Sequence, residues 1–127
     1  MNIQVVTDTI DSDDLREIAE EFYRSMIKGA IDIEKSIVAF GGEYHIDASN
    51  RLSEMGAQSK DIWGFNIRLD APRDSWVEYT ALINIKPEAG NRDMIISDAA
   101  TREKIKKILD TMIIWILKEH RYSWWPI

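Results

Sequence analysis

At 127 residues the chain has the length of one domain, and a 45% hydrophobic content is that of a globular protein. It contains no cysteine, which excludes a disulfide framework, a thiolate metal site and a cysteine nucleophile. The net charge is −6: residues 1–60 hold twelve acids against six bases and residues 61–127 hold ten of each, so there is no basic stripe to attract nucleic acid or an anionic membrane surface.

Ile3 to Val6 reads as a short strand. Asp8, Asp11 and Ser12 are candidate caps for a first helix, with Ile10 as a staple and Asp13 and Asp14 at the positive end of the helix dipole. Leu15, Ile18, Ala19, Phe22 and Met26 recur at helical spacing, which predicts a helix ending near Gly29. Residues 30 to 41 read as a β-hairpin. A turn at Lys35-Ser36 pairs Ile33 with Val38 and Ile31 with Phe40, gathers these four on one face and leaves Asp32 and Glu34 on the other. Lys-Ser is not a preferred two-residue turn, so a longer loop stays open. Gly41-Gly42 ends the second strand.

Asp47 is placed to cap a short helix holding Leu52 and Met55 and stopping at Gly56. Between Asp61 and Asp70, Trp63, Phe65, Ile67 and Leu69 alternate with Gly64, Asn66 and Arg68, the pattern of a third strand. Val77 to Lys86 alternates as well and predicts a fourth, closed by Pro87. After a loop with Gly90-Asn91-Arg92, Ser97 or Asp98 caps a long helix expected to reach about residue 119, striped by Ile105, Ile108, Leu109, Met112, Ile113 and Ile116. Ile114, Trp115 and Leu117 make its end apolar almost all round, as at a buried or interfacial helix end. The aromatic tail, residues 118–127, adds Trp124 and Trp125. A homo-oligomer formed through the C-terminal helix and tail is the expectation.

These elements give an α+β class: one domain over residues 1–127, with an antiparallel sheet of about four main strands and two longer helices packed on one face. The other face, carrying Asp32, Glu34, Asn66, Arg68, Glu78, Thr80, Asn84 and Lys86, is expected to be wet. The start, Met1-Asn2-Ile3-Gln4, lacks the basic and apolar runs of a signal peptide, and no apolar run approaches the length of a membrane span, so a cytoplasmic protein without membrane partners is expected.

Five motifs in this order resemble a small bacterial and archaeal family, a domain of unknown function. They are Asp32-Ile33-Glu34-Lys35, then Gly41-Gly42-Glu43-Tyr44-His45-Ile46-Asp47, Asp61-Ile62-Trp63-Gly64-Phe65-Asn66, Ile83-Asn84-Ile85-Lys86-Pro87 and Gly90-Asn91-Arg92. The likeness covers about residues 10 to 110, and the tryptophan tail lies outside it. The resemblance implies a soluble prokaryotic protein and implies no activity.

Chemistry-bearing residues concentrate near these motifs. Glu43, His45 and Asp47 are two apart and would point the same way in an extended segment, a minor candidate for a metal; the bland alternative is a solvated strand end followed by a helix cap. Glu43 with His45 is also a candidate general acid/base pair, with no partner nucleophile marked in the sequence. Gly90-Asn91-Arg92 has the composition of an anion clamp, or of a plain turn with Asn91 left-handed. The bare Gly64 invites close approach by another backbone or a ligand, with Asn66 and Asn84 on its face. The first reading is therefore a small polar or anionic ligand held by Asn66, Asn84, Asn91 and Arg92 near Glu43 and His45, with no cofactor. The alternatives are a hydrolase-like enzyme using Glu43 and His45, and an assembly module acting through the C-terminal helix.

Overall fold

The computed structural model describes residues 1–116. Strand β1 (Gln4–Val6) is followed by β2 (Ile10–Asp11), helix α1 (Ser12–Ala19), β3 (Met26–Asp32), β4 (Ile37–Phe40), α2 (His45–Glu54), β5 (Ile62–Arg68), β6 (Val77–Glu78), α3 (Ala99–Met112) and β7 (Ile113–Ile114). The main sheet is antiparallel and five-stranded, in the order β1-β4-β3-β5-β6, and β2 and β7 form a separate parallel pair. The class is α+β, with one more strand in the sheet than expected.

One sheet face carries Ile27, Ile31, Val38, Phe40, Trp63, Phe65 and Ile67, which pack with Leu15 and Ile18 of α1 and Ile105, Leu109 and Met112 of α3. Both longer expected helices therefore cover the same face. The second face is wet only in part: Glu34 and Arg68 are exposed, but α2 lies on the face, packing Ala48 and Leu52 against Ala30, Ala39 and Ile62. The small side chains Ala30 and Ala39 let the helix approach closely.

The hairpin pairs Asp32 with Ile37 and Ile31 with Val38, two residues out of the expected register, across a four-residue loop. A shift of two keeps every side chain on its face, so the apolar set survives intact. Asp32 is nevertheless buried, because its Oδ1 accepts the Glu34 and Lys35 N–H groups inside the loop (3.0 and 3.1 Å). Helix α1 stops ten residues before Gly29. The Phe22, Tyr23 and Arg24 N–H groups all converge on the Ala19 carbonyl, with Arg24 at φ 62. Long-range pairing outweighs the helical periodicity here, since Met26 and Ile27 are needed opposite Arg68 and Ile67. Gly29 is thus a mid-strand residue: a Cβ there would lie 2.5 Å from the Phe65 ring, which packs edge-on against Phe40.

The expected fourth strand is cut to Val77–Glu78. Beyond Thr80 the chain turns in over β5, and the short 3-10 turn Leu82–Asn84 takes the place of a strand. A Cβ on Gly64 would come within 2.5 Å of the Ala81 Cβ and 3.0 Å of the Ile83 side chain, so the close approach at Gly64 is by side chains of the protein's own turn. Asn84, fully buried, completes the sheet edge with its side chain. Its Oδ1 accepts the Gly64 N–H (2.7 Å) and its Nδ2 donates to the Gly64 carbonyl (3.0 Å), as a peptide group of a neighbouring strand would do. The same Nδ2 also donates to the carbonyls of Met94 (3.2 Å) and Tyr79 (3.4 Å).

Asp98 caps α3, accepting from the Thr101 N–H (3.1 Å) and hydroxyl (2.6 Å). The helix ends at Met112 rather than near residue 119, because Ile113 and Ile114 pair with Ile10 and Asp11 and the Ile116 N–H donates to the Ser12 hydroxyl (2.8 Å). Ile113 and Ile114 are therefore a strand with an internal partner, not part of a helix end apolar all round. Trp115 stacks edge-on with buried Trp76 at 5.1 Å, and Arg73 lies 4.5 Å from its ring. The aromatic tail expected to join the C-terminal helix in an oligomer lies outside the described residues. No helix among the described residues is long and apolar enough to cross a membrane.

Asn84→Asp keeps the shape of the amide and removes both N–H donors among three carbonyls. It is expected to destabilise the fold by about 3 kcal/mol or more, read as a lower denaturant midpoint.

Candidate functional site

Strands β3 and β5 pair Lys28 with Asn66, and β5 and β6 pair Asn66 with Glu78. A polar row therefore crosses the second face beside α2. The loop before α2 is set by Asp47, whose Oδ2 accepts the N–H groups of Glu43 (3.1 Å) and Tyr44 (2.9 Å), while the Tyr23 hydroxyl donates to the Glu43 carbonyl. This fixes His45 as the first residue of α2, with its ring over the polar row.

The His45 Nε2 lies 2.7 Å from Asn66 Oδ1 and 3.1 Å from the Phe65 carbonyl. A carbonyl can only accept, so Nε2 carries the proton and Nδ1 is the ring's acceptor. Asn66 cannot flip: its Nδ2 donates to Glu78 Oε1 and to the Thr80 carbonyl, both at 3.3 Å. Glu78 is held in turn by Arg68, whose Nε donates to Oε2 at 3.1 Å. Burial pushes the His45 pKa below its ordinary 6.5, against the hydrogen bond that Nε2–H donates to Asn66, and the nearby Lys28 charge pushes it the same way as burial. The positive end of α2 acts in that direction too. The ring is neutral at physiological pH.

Beside this ring opens a cleft of about 360 Å³. Lys28, Tyr44, His45, Asn66 and Thr80 supply its polar lining, and Ile46, Ala81, Leu82, Ile83 and Met94 its apolar wall. The Lys28 ammonium lies 4.9 Å from the Tyr23 ring centre and 5.6 Å from that of Tyr44, and it has no carboxylate partner among the described residues. Leu82, Tyr44, Ile46 and Met94 are exposed at the rim. A second depression of about 320 Å³ lies between α3 and the hairpin loop, but its polar side chains, such as Thr7, Ser36 and Lys107, are all on the exposed surface.

The structure thus brings together His45 and Asn66 from the expected set. Glu43 is exposed, with its backbone engaged and no bond to His45. Because residues 45–54 are helical, Glu43, His45 and Asp47 do not share one direction, and Asp47 is spent on the loop; no group of three or more His, Asp or Glu side chains among the described residues could hold a metal ion. Asn84 supports the cleft wall from behind. Asn91 is also buried, with Nδ2 donating to the carbonyls of Asn84 (2.8 Å), Asp93 (2.9 Å) and Ile95 (3.1 Å), and Oδ1 accepting from Ser97 N–H and hydroxyl (both 2.9 Å). Arg92 is exposed and outside the cleft lining. Lys28, Tyr44 and Thr80 were missed; running β3 back to Met26 would have put Lys28 on the face of Asn66.

His45 also fixes a pH response. Its folded-state pKa is depressed, so its full contribution to stability is present above pH 6.5 and is lost as pH falls from there through the folded value. In His45→Gln, whose amide can still donate to Phe65 and Asn66, stability should fall less steeply across that window, as read from denaturant midpoints.

A family model described as a protein of unknown function, DUF5674, matches residues 4–112. No curated protein and no solved structure matches the chain. With most of its length matched, the chain belongs to the DUF5674 family.

Proposed function

We propose that the protein binds a small anionic molecule with an apolar body in the cleft beside α2. Lys28 takes the anionic group, the neutral His45 ring and Asn66 orient it, and Leu82, Ile83 and Met94 cover the apolar part. The observation that carries this reading is Lys28 itself: a half-buried ammonium in an acidic chain, flanked by two tyrosine rings and facing no carboxylate among the described residues. Its neighbours His45 and Asn66 are tied to backbone and side-chain partners, so the polar side of the cleft is preorganised. The apolar wall excludes water from the ion pair and strengthens it.

Titration with short-chain and aromatic carboxylates, each against its uncharged amide, tests this by thermal shift. Binding at about a hundred times Kd stabilises by about 2.7 kcal/mol. Lys28→Met should abolish the shift and Arg92→Ala should leave it intact. Equal shifts with the amides, or an unchanged shift in Lys28→Met, would contradict the reading.

A further inference from the structure

We propose that the cleft is a hydrolytic active site for small carboxylic esters or amides, with His45 Nδ1 as the general base; this rests on the anion-binding reading above. The geometry is that of a positioned base. Nε2–H is clamped between the Phe65 carbonyl and Asn66 Oδ1, and Asn66 is itself clamped by Glu78 and Thr80. This leaves Nδ1 as the lone acceptor of a ring at the cleft wall, making no hydrogen bond to another described residue. The charged groups facing the ring are few. Lys28 comes from β3, Glu78 from β6 acts one residue removed through Asn66, and the Leu82–Asn84 turn brings none. On its own segment are Glu43 and Asp47, the latter turned to backbone N–H groups.

No hydroxyl is bonded to Nδ1 among the described residues and the chain has no cysteine, so no side chain is paired with the base as a nucleophile, and the nucleophile is taken from solvent. Water fits. Nδ1 takes one proton from it, and the hydroxide oxygen bonds to the carbonyl carbon. The carbonyl π pair moves onto oxygen, where the Lys28 ammonium and the α2 N-terminus stabilise the alkoxide. Collapse breaks the bond to the leaving group, which takes the proton from Nδ1. The products are an alcohol or amine and a carboxylic acid; the acid loses water's second proton to solvent, or to the released amine, and the resulting carboxylate is the class of anion that Lys28 is read to hold. His45 and Lys28 are the catalytic residues; Asn66 and Glu78 position the base.

Hydrolysis of p-nitrophenyl acetate by the full chain tests the proposal. The expected rate rises with pH through an inflection below 6.5. It falls about a hundredfold in His45→Gln and is unchanged in His120→Gln. Asn66→Asp, placing a carboxylate against Nε2–H, should move the inflection upward, a change that a merely structural Asn66 would not produce. Wild-type hydrolysis no faster than that of His45→Gln would overturn the catalytic proposal. Carboxylate binding that still depends on Lys28 would then leave the binding reading standing.

Discussion

A single buried amide sets the shape of the face that carries the cleft. Gly64 presents an N–H and a carbonyl at the edge of β5 where β6 has already ended, and both would be buried without partners. The Asn84 side chain supplies both. An amide fits because it is a donor and an acceptor with the spacing of a peptide group, and neither a carboxylate nor a hydroxyl offers that pair. By holding residues 80–84 over the sheet, it sets Ala81, Leu82 and Ile83 as one wall of the cleft and the Thr80 carbonyl as a stop for Asn66. Asn91 repeats the device one layer out, tying the Asn84 carbonyl to Asp93, Ile95 and Ser97. Glycine at position 64 and asparagine at 84 depend on each other: a Cβ at 64 would collide with Ala81 and Ile83 of the turn that carries the Asn84 amide.

Much of the architecture was legible in the sequence because alternation survives errors of register. The hairpin is two residues from its expected pairing, yet Ile31, Val38 and Phe40 still reach the core, since the period of a strand is two. The caps at Asp11 and Asp98 were legible because short acidic side chains before an apolar stripe have a local job. Three features were not. Periodicity alone carried α1 on to Gly29 and α3 to about residue 119, while the partners that end them, Ile67 with Arg68 and Ile10 with Asp11, lie far away in sequence. Apparent alternation from Val77 to Lys86 concealed a turn that only Gly64 betrays.

The second face shows what polarity counts conceal. A face carrying Asp32, Asn66, Asn84 and Lys86 reads as solvated, yet each of these side chains is buried. Asp32 caps a loop, Asn84 closes an edge, and the Lys86 ammonium donates to the Ser59 carbonyl at 2.8 Å beside the Trp63 ring. The signal pointing the other way was the run of small residues Ala30, Ala39 and Gly64, which leaves room for α2 and the turn at residues 82–84. Of the chemistry-bearing set, His45 stood out by its spacing to Glu43 and Asp47 and Asn66 by sharing the face of Gly64, and the fold brings these two side chains together. Lys28 was hidden inside a helix assignment that the strand displaced.

This arrangement holds the proton on Nε2, leaves Nδ1 unprotonated and disfavours the imidazolium. Long-range ¹⁵N–¹H NMR of the imidazole, assigned against His120→Gln, measures it directly. A protonated-type Nε2 and an acceptor-type Nδ1 are expected at neutral pH, persisting below pH 6.5. A Nδ1–H tautomer, or an imidazolium already formed at neutral pH, would contradict it.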